Sequence, residues 1–351
     1  MNPPTAFITG ITGQDGSYLT ELLLARGYVV HGLVRRASLF NRSRIEHLRL
    51  NPEIYGKSLF LHYSDLHDLT SLRRIFRQVR PTEVYHLAGQ SHVGLSFEIP
   101  EVTCQEVANA TLGLLEIIRD QEYPSRVYHA SSSEIFGAPA QDPQTETTPT
   151  RPTNPYGCAK MFATHLCRVY REAYGLFVCN GIAYNHESPR RGENFVTRKI
   201  ALAAARISVG LQHELVLGDL SARRDWGYAP EYVEAMWRML QADAPDDYLL
   251  ASGRDHSIGD FLTAAFGQVN LDWRKYVRTD DRLRRPLESR LLVGDASKAK
   301  QHLGWTPQTD LAGLARLMVD ADLAQLVGRG ASSVPPPFPR PQRQNPADRA
   351  P

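Results

Sequence analysis

Short apolar runs alternate with longer amphipathic stretches along the first half of the chain. Six of these runs predict buried strands, at residues 6–10, 28–34, 60–66, 83–89, 126–130 and 178–185. The stretches between them carry apolar residues at helical spacing, and the longest predicts a helix from residue 156 to residue 174. Strands that alternate with helices in this way predict an α/β fold with a doubly wound parallel sheet.

The pattern changes after residue 185. A charged loop at 186–199 leads into an alanine-rich helix, and a strand at 215–219 and a helix at 230–241 follow. We therefore predict a nucleotide-binding domain at 1–185 with a return segment near 225–250, and a smaller mixed α/β substrate-binding domain at 186–224 and 251–327. An amphipathic helix is expected at 311–326. Residues 328–351 are rich in Gly, Ser, Pro and Arg, which predicts a disordered tail or an extended arm.

Composition narrows the class of protein. The 351 residues are 42% hydrophobic and 22% charged, with a formal charge of +2, which is ordinary for a soluble protein and gives no reason to expect nucleic acid or a membrane as partner. No run of 18 apolar residues and no charged leader is present, so neither a membrane span nor a signal peptide is expected. The four cysteines form no C-x-x-C pair. We expect reduced thiols, no metal site and a cytoplasmic location.

Three glycines follow the first predicted strand in the order G-x-x-G-x-x-G and lead into a helix. Glycines in a strand–turn–helix context let the backbone approach a pyrophosphate, which then lies at the positive helix N-terminus. This spacing is the variant found in short-chain dehydrogenases/reductases, so a Rossmann-type domain is predicted. The expected cofactor contacts here are Gly10, Thr12, Gly13, Gln14, Asp15 and Gly16.

The residues at the end of the second predicted strand indicate which dinucleotide is bound. NAD-binding domains carry an acidic residue there for the ribose 2′-hydroxyl, but this chain has Arg35 and Arg36. Two guanidinium groups suit a 2′-phosphate, which favours NADP over NAD. The segment 35–48 is basic and long for a connection, so contact with a neighbouring subunit is possible. Further cofactor contacts are expected after the third and fourth strands, at Asp65, Leu66, Leu87, Ala88 and Gln90.

The candidate chemistry lies in residues 131–160. Tyr156 and Lys160 are one helical turn apart, so both side chains leave the same face. A nearby ammonium favours the phenolate, and a phenol tuned in this way can act as a general base. The hydroxyls of Ser132 and Ser133 and the carboxylate of Glu134 follow the fifth strand directly. We predict these five residues to be catalytic.

Several longer motifs resemble those of the GDP-mannose 4,6-dehydratase family, which are extended short-chain dehydrogenases/reductases. The similarity runs from about Thr5 to about Leu326 and is carried by segments 9–19, 35–36, 88–93, 185–193, 224–227 and 285–288. Three positions depart from the family pattern: Ser132 stands for Thr, Gly89 for Ala and Asp219 for Asn. An acidic Asp219 near a diphosphate is unfavourable unless its side chain points away.

The resemblance implies roles for individual residues. Tyr156 would take the proton of the sugar 4-hydroxyl with help from Lys160, which would also bind the nicotinamide ribose. Ser132 fills the place of the family threonine, and Ser133 and Glu134 fill its Ser-Glu pair. Arg190 and Arg191 match a loop that approaches a cofactor across a subunit interface, which implies a homo-oligomer, commonly a dimer or tetramer. The GDP-sugar contacts implied are Ser91, Asn185, Val196, Lys199, Arg224, Arg285 and Glu288.

Glu134 decides between the reactions open to such a site. A C4 epimerase needs no carboxylate there, whereas a dehydratase needs a base for the C5 hydrogen after hydride has left C4 for NADP⁺. Water is then lost from C6 and the hydride returns to that carbon, which gives a 4-keto-6-deoxy sugar. The alternatives are a GDP-heptose 4,6-dehydratase, a C4 epimerase or a 4-keto reductase of the same fold. A non-catalytic NADP-binding regulatory protein is the alternative from another class, and it would be expected to lack Tyr156 or Lys160.

Overall fold

The computed structural model describes residues 3–36, 41–283, 292–328 and 338. In chain order the strands of this part are β1 (Thr5–Thr9), β2 (Val29–Val34), β3 (Leu59–Tyr63), β4 (Glu83–His86), β5 (Arg126–Ser132), β6 (Val178–Ala183), β7 (Asn185–Glu187), β8 (Leu215–Leu217), β9 (Arg223–Tyr228), β10 (Asp247–Leu250), β11 (Asp255–Ser257) and β12 (Val277–Thr279). The α-helices are α1 (Gln14–Ala25), α2 (Glu46–Arg49), α3 (Leu69–Val79), α4 (Pro100–Cys104), α5 (Ala110–Arg119), α6 (Pro155–Tyr174), α7 (Val196–Ser208), α8 (Ala229–Gln241), α9 (Ile258–Gly267), α10 (Ser297–Leu303) and α11 (Leu311–Leu326).

Seven parallel strands form the central sheet in the order β10-β6-β5-β4-β1-β2-β3. Alternate residues of each strand face opposite sides, so Ile8 of β1 joins the core under α1 and α8, while Phe7 joins the core under α3, α5 and α6. Helices therefore cover both faces, and the predicted Rossmann-type doubly wound fold is confirmed. The strand order reverses between β1 and β4, which is where such sheets bind ligands at their carboxyl ends.

A smaller group of elements packs around its own core. The three-stranded sheet β11-β9-β7 and the two-stranded sheet β12-β8 lie with α7, α9 and α11. Between these elements the chain returns to the main sheet, because α8 packs with α1 in the first core and β10 pairs with β6. The predicted domain division stays a prediction, and we return to it below.

Several predicted strands end earlier in the structure. The run 178–185 stops at Ala183 and residues 185–187 form β7, because they pair with β9 in the second sheet. The run 83–89 stops at His86, because its partner strand β1 ends opposite at Thr9 and Gly10 then turns away with a φ of 76°. The run 60–66 stops at Tyr63. Apolar runs identify strands, but the length of the neighbouring strand decides where pairing ends.

Two further observations concern the described residues as a whole. None of their helices has the length and apolar content needed to cross a membrane. In the same part of the chain no three His, Cys, Asp or Glu side chains are grouped so as to hold a metal ion.

Candidate active site

A cavity of about 480 Å³ lies at the carboxyl ends of the central strands. Its wall combines the glycine turn after β1, the ends of β4 and β5, the start of α6 and the loop after β7. Most of the residues predicted from the sequence contribute to this wall, namely Gly10, Thr12, Gly13, Gln14, Asp15, Gly16, Arg35, Asp65, Leu66, Leu87, Ala88, Gln90, Ser91, Ser132, Glu134, Tyr156, Lys160, Asn185, Arg191 and Arg224.

The glycine turn forms the narrow wall at β1 and α1. Gly10 has a positive φ, and a Cβ there would lie 2.9 Å from the Ala88 nitrogen, so only glycine lets the two strand ends approach so closely. Gly13 is the N-cap of α1 and provides no side-chain acceptor for the N–H groups of the first turn. A glycine-rich turn with no side-chain cap, at the positive end of a 12-residue helix, has the donor set that a pyrophosphate needs.

Two guanidinium groups line the cavity, Arg35 just after β2 and Arg44 beside the loop after β7. Arg35 donates from Nη1 to Glu106 Oε1 at 3.0 Å, and Arg44 donates from Nε to the Arg190 carbonyl at 2.7 Å. Arg36 is exposed and does not line the cavity. The pair Arg35 and Arg36 stays a prediction for the 2′-phosphate, with Arg35 in the cavity wall. Arg44 lies in the basic segment 35–48 and was not predicted as a contact.

Tyr156 and Lys160 are both buried and lie on the same face of α6, as predicted. Lys160 Nζ donates to the Ala130 carbonyl at 2.7 Å and lies 5.8 Å from the centre of the Tyr156 ring. Burial lowers the pKa of Lys160 to about 8. Burial and, to a smaller extent, Glu134 raise the pKa of Tyr156, the Ser132 hydrogen bond and Arg191 oppose the rise, and the resulting pKa is about 12.

The expectation that Lys160 lowers the pKa of Tyr156 is therefore not met in the protein alone. Desolvation of the phenol outweighs the groups that favour its ionised form, so the pKa lies above its ordinary value. The opposing influences come instead from Ser132 and Arg191, which stabilise the phenolate.

Glu134 lies in a short 3₁₀ turn, Ser133–Ile135, directly after β5. Its carboxylate is buried, and Oε2 accepts a hydrogen bond from Asn154 Nδ2 at 2.8 Å. Its backbone N–H donates to Ser132 Oγ at 3.3 Å. Ser133 is buried and, unlike Ser132, does not line the cavity, so its catalytic role stays a prediction. Asn154 was missed from the sequence.

A side-chain cluster joins the glycine turn to the loop after β7. Asp15 Oδ2 and His186 Nε2 are 2.9 Å apart, Gln14 Nε2 donates to the His186 carbonyl, and Ser188 donates to Gln14 Oε1. Burial alone would raise the pKa of Asp15, but the charge and hydrogen bond of His186 bring it below its usual range. His186 was not predicted, because its partners lie more than 170 positions away in the sequence.

The remaining positions noted in the sequence fall into four groups. Arg191 forms an ion pair with Glu187 at 3.1 Å and covers the Phe195 ring, within its own chain. Val196 and Lys199 lie in the first two turns of α7 and do not line the cavity. Arg285 and Glu288 lie outside the described residues. Asp219 accepts two hydrogen bonds from Ser221, which satisfies the carboxylate locally.

Comparison with known proteins identifies the family. A family model described as GDP-mannose 4,6 dehydratase matches residues 7–318. GDP-mannose 4,6 dehydratase 2 of Arabidopsis thaliana is 55% identical over 323 residues, which cover 91% of this chain and 86% of the relative. The GDP-mannose 4,6 dehydratase of Homo sapiens is 46% identical, with 91% of each chain covered.

Solved structures show the same fold. The UDP-glucose 4-epimerase of Thermus thermophilus, in complex with NAD, superposes with a TM-score of 0.77 at 28% identity and covers 93% of this chain and 99% of its own. RMD from Pseudomonas aeruginosa, complexed with NADPH, gives a TM-score of 0.74 at 23% identity, over 92% of this chain and 99% of its own. The matched sequences confirm the predicted resemblance, and the chain belongs to the GDP-mannose 4,6-dehydratase family.

Proposed function

We propose that the protein converts GDP-mannose to GDP-4-keto-6-deoxymannose with NADP as a bound cofactor. One observation carries the proposal. A buried carboxylate, Glu134, lies in the same cavity wall as the Tyr156 and Lys160 pair, in a chain that belongs to the dehydratase family. Removal of water from the sugar needs this second base, whereas simple oxidation or epimerisation at C4 does not.

The residues present fit the cofactor. The cradle at Gly10 and the uncapped start of α1 suit the pyrophosphate, Arg35 and Arg36 after β2 suit a 2′-phosphate, and Lys160 suits the nicotinamide ribose. Further contacts are proposed from the residues after β3 and β4, at Asp65, Leu66, Leu87, Ala88 and Gln90. When bound here, NADP⁺ would supply the acceptor for the C4 hydride and, once reduced, the hydride for C6.

Side chains of the protein carry out the proton transfers. Tyr156, hydrogen-bonded to Ser132, takes the proton of the 4-hydroxyl, and Lys160 adds positive charge in the same wall. The 4-ketone acidifies the C5 hydrogen, which Glu134 removes as a proton before the 6-hydroxyl departs. Tyr156 and Glu134 together take up two protons. Two are needed later: one to release the 6-hydroxyl as water and one to restore the hydrogen at C5. The cycle therefore releases one water and leaves no net oxidation.

The GDP part of the substrate is proposed to lie against the second group of elements. Arg224 of β9, Asn185 of β7 and Arg191 line the cavity on that side. Phe195 also lines it and immediately precedes α7, which supports a role for Val196 and Lys199 near the guanine nucleotide. On this basis we keep the division into a cofactor domain, at 1–185 with the return near 225–250, and a substrate domain, at 186–224 and 251–327.

We also propose a cytoplasmic homo-oligomer, a dimer or a tetramer. The four cysteines are free thiols, which fits a reducing compartment. The helices α5 and α6 expose large apolar side chains to solvent, at Leu112, Phe162, Val169 and Tyr174. Apolar side chains on neighbouring helices are the kind of surface that a second copy of the chain would cover.

Incubation with GDP-mannose and a catalytic amount of NADP⁺, followed by mass spectrometry, tests the reaction. The expected product is lighter than the substrate by one water, and it forms many times over per NADP⁺. An unchanged mass would overturn the proposal in favour of an epimerase. Consumption of one NADPH per product would overturn it in favour of a 4-keto reductase.

A further inference from the structure

Asn154 lies where the two elements that carry the catalytic side chains meet. It precedes α6, is 4% exposed and has an extended backbone, with φ −147° and ψ 158°. Its Oδ1 accepts a hydrogen bond from the Gly157 N–H at 2.8 Å, and its Nδ2 donates to Glu134 Oε2 at 2.8 Å. One buried amide thus joins the first turn of α6 to the carboxylate that follows β5.

The two ends of this amide are matched to their partners. A backbone N–H needs an acceptor, and only the amide oxygen provides one, so the NH₂ group is left to face Glu134. An ionised carboxylate accepts hydrogen bonds and donates none, so it needs a donor at this place. Ser or Asp at position 154 would cap α6 equally well. Neither would supply the same cap together with an NH₂ donor to Glu134.

The backbone around Glu134 is already fixed by other contacts. A Cβ on Gly157 would lie 2.6 Å from the Glu134 carbonyl oxygen, so α6 packs directly against the turn that holds Glu134. On another side the Arg151 N–H donates to the Ile135 carbonyl at 2.9 Å. With the main chain held from two sides, the Asn154 amide acts on the orientation of the Glu134 carboxylate.

We propose that Asn154 is a positioning residue for the C5 proton transfer, and that its amide holds the Glu134 carboxylate in the cavity wall beside Tyr156. This inference rests on the proposed dehydration. The proposed role differs from that of an ordinary helix cap, because capping α6 needs only the side-chain oxygen of Asn154, whereas positioning Glu134 needs its NH₂ group. Loss of the NH₂ donor should therefore impair the elimination of water while it leaves oxidation at C4 and the fold intact.

The variant N154S keeps a capping oxygen and replaces the NH₂ donor by the hydroxyl of a shorter side chain, whereas N154D would set a second carboxylate against Glu134 and is not a matched variant. N154S is expected to melt within a few degrees of the wild type and to keep the wild-type KM for GDP-mannose. Because misplacement of a catalytic group by about 1 Å can cost about 10²-fold, kcat for water loss should fall by about that factor. In a single turnover, absorbance of reduced nicotinamide should accumulate, and exchange of the C5 hydrogen in D₂O should slow in parallel with kcat.

A cap at another helix supplies the control. Asp310 caps α11 by accepting from the Gly313 N–H at 2.8 Å, so D310S changes a cap away from the cavity and should leave kcat unchanged. The inference is overturned if N154S releases water at the wild-type rate, or if C4 oxidation falls as far as elimination does. If the wild-type enzyme itself releases no water, the proposed function and this inference both fail. If the wild type releases water and N154S does so at the same rate, only this inference fails.

Discussion

Glu134 is the residue whose replacement separates oxidation from dehydration. E134Q keeps the shape of the side chain and removes the base, so water release should fall by about 10²–10⁴-fold, the usual contribution of a general base. Oxidation at C4 uses Tyr156 and should survive, which a stopped-flow measurement of reduced nicotinamide in a single turnover would show. Product formation by E134Q at close to the wild-type rate would contradict the assignment of Glu134.

Lys160 gives a prediction about stability. Its pKa falls from the unfolded value near 10.5 to about 8, so the unfolded chain binds more protons between these pH values. Below pH 8 the folded protein carries the full cost of a buried charge, and that cost disappears as the pH rises through 8 to 10.5. K160M should therefore be more stable than the wild type at pH 7, on the order of 1–2 kcal/mol after the lost hydrogen bond to Ala130 is allowed for.

The measurement is the difference in unfolding free energy between K160M and the wild type at several pH values. The advantage of K160M should shrink from pH 7 to pH 10, although the variant should be catalytically impaired throughout. K160R keeps a positive charge at all these pH values and serves as the control, because the difference in unfolding free energy between K160R and K160M should not change with pH. A K160M protein that is less stable at pH 7 and equally so at pH 10 would show that the charge is not the cause.

Local spacing predicts the residues that act together over short distances in the sequence. Tyr156 and Lys160 are four apart on a helix, and Glu134 directly follows an apolar strand, so their places in the wall were predictable. His186, Arg44 and Asn154 were not, because each acts through a partner that the fold brings near. The Asn154–Glu134 contact spans 20 positions and a loop, and the His186–Asp15 contact spans 171. No periodicity in the sequence encodes such pairs.

At the scale of elements, a buried ion pair joins α7 to α11. The Arg198 guanidinium contacts the Asp322 carboxylate, and the two side chains are 7% and 1% exposed. Burial raises the pKa of Asp322 despite its partner, which shows that desolvation outweighs the attraction. D322A should therefore lower the free energy of unfolding by about 3–5 kcal/mol, since it leaves a buried charge without its partner.

The double variant R198M/D322L tests the origin of that loss. If the loss comes from an uncompensated charge, the double variant should recover most of the stability in urea denaturation, because a buried pair replaced by apolar residues is often neutral or better. A double variant as unstable as D322A would show that the two helices need the pair itself. The amphipathic pattern predicted α11 from Leu311 to Leu326, but it gave no sign of this pair, since Asp322 reads as a surface position.

At the scale of the whole molecule, some features of the fold follow from the hydrophobic pattern of the sequence, and others from contacts between elements that are far apart in the sequence. The alternation of strands and helices was sufficient for the doubly wound sheet, and the change after residue 185 marked the start of the second group of elements. The return of α8 and β10 to the main sheet brings residues 229–250 beside elements far away in sequence. The cavity exists only because both groups of elements contribute walls to it. Ser132 and Arg224, for example, line the same space from β5 and β9.

The exposed apolar side chains of α5 and α6 give the last prediction. Phe162 and Val169 lie seven positions apart on α6, hence on one face, and are 47% and 52% exposed. If a second copy of the chain covers this face, F162E/V169E should place charges in an apolar interface and shift the protein to monomers in light scattering. The matched control L211E removes an exposed leucine from the turn after α7 and should leave the oligomer intact. Because the catalytic side chains of α6 line the opposite, buried side, an unchanged oligomer in F162E/V169E would place the interface elsewhere without touching the assignment of Tyr156 and Lys160.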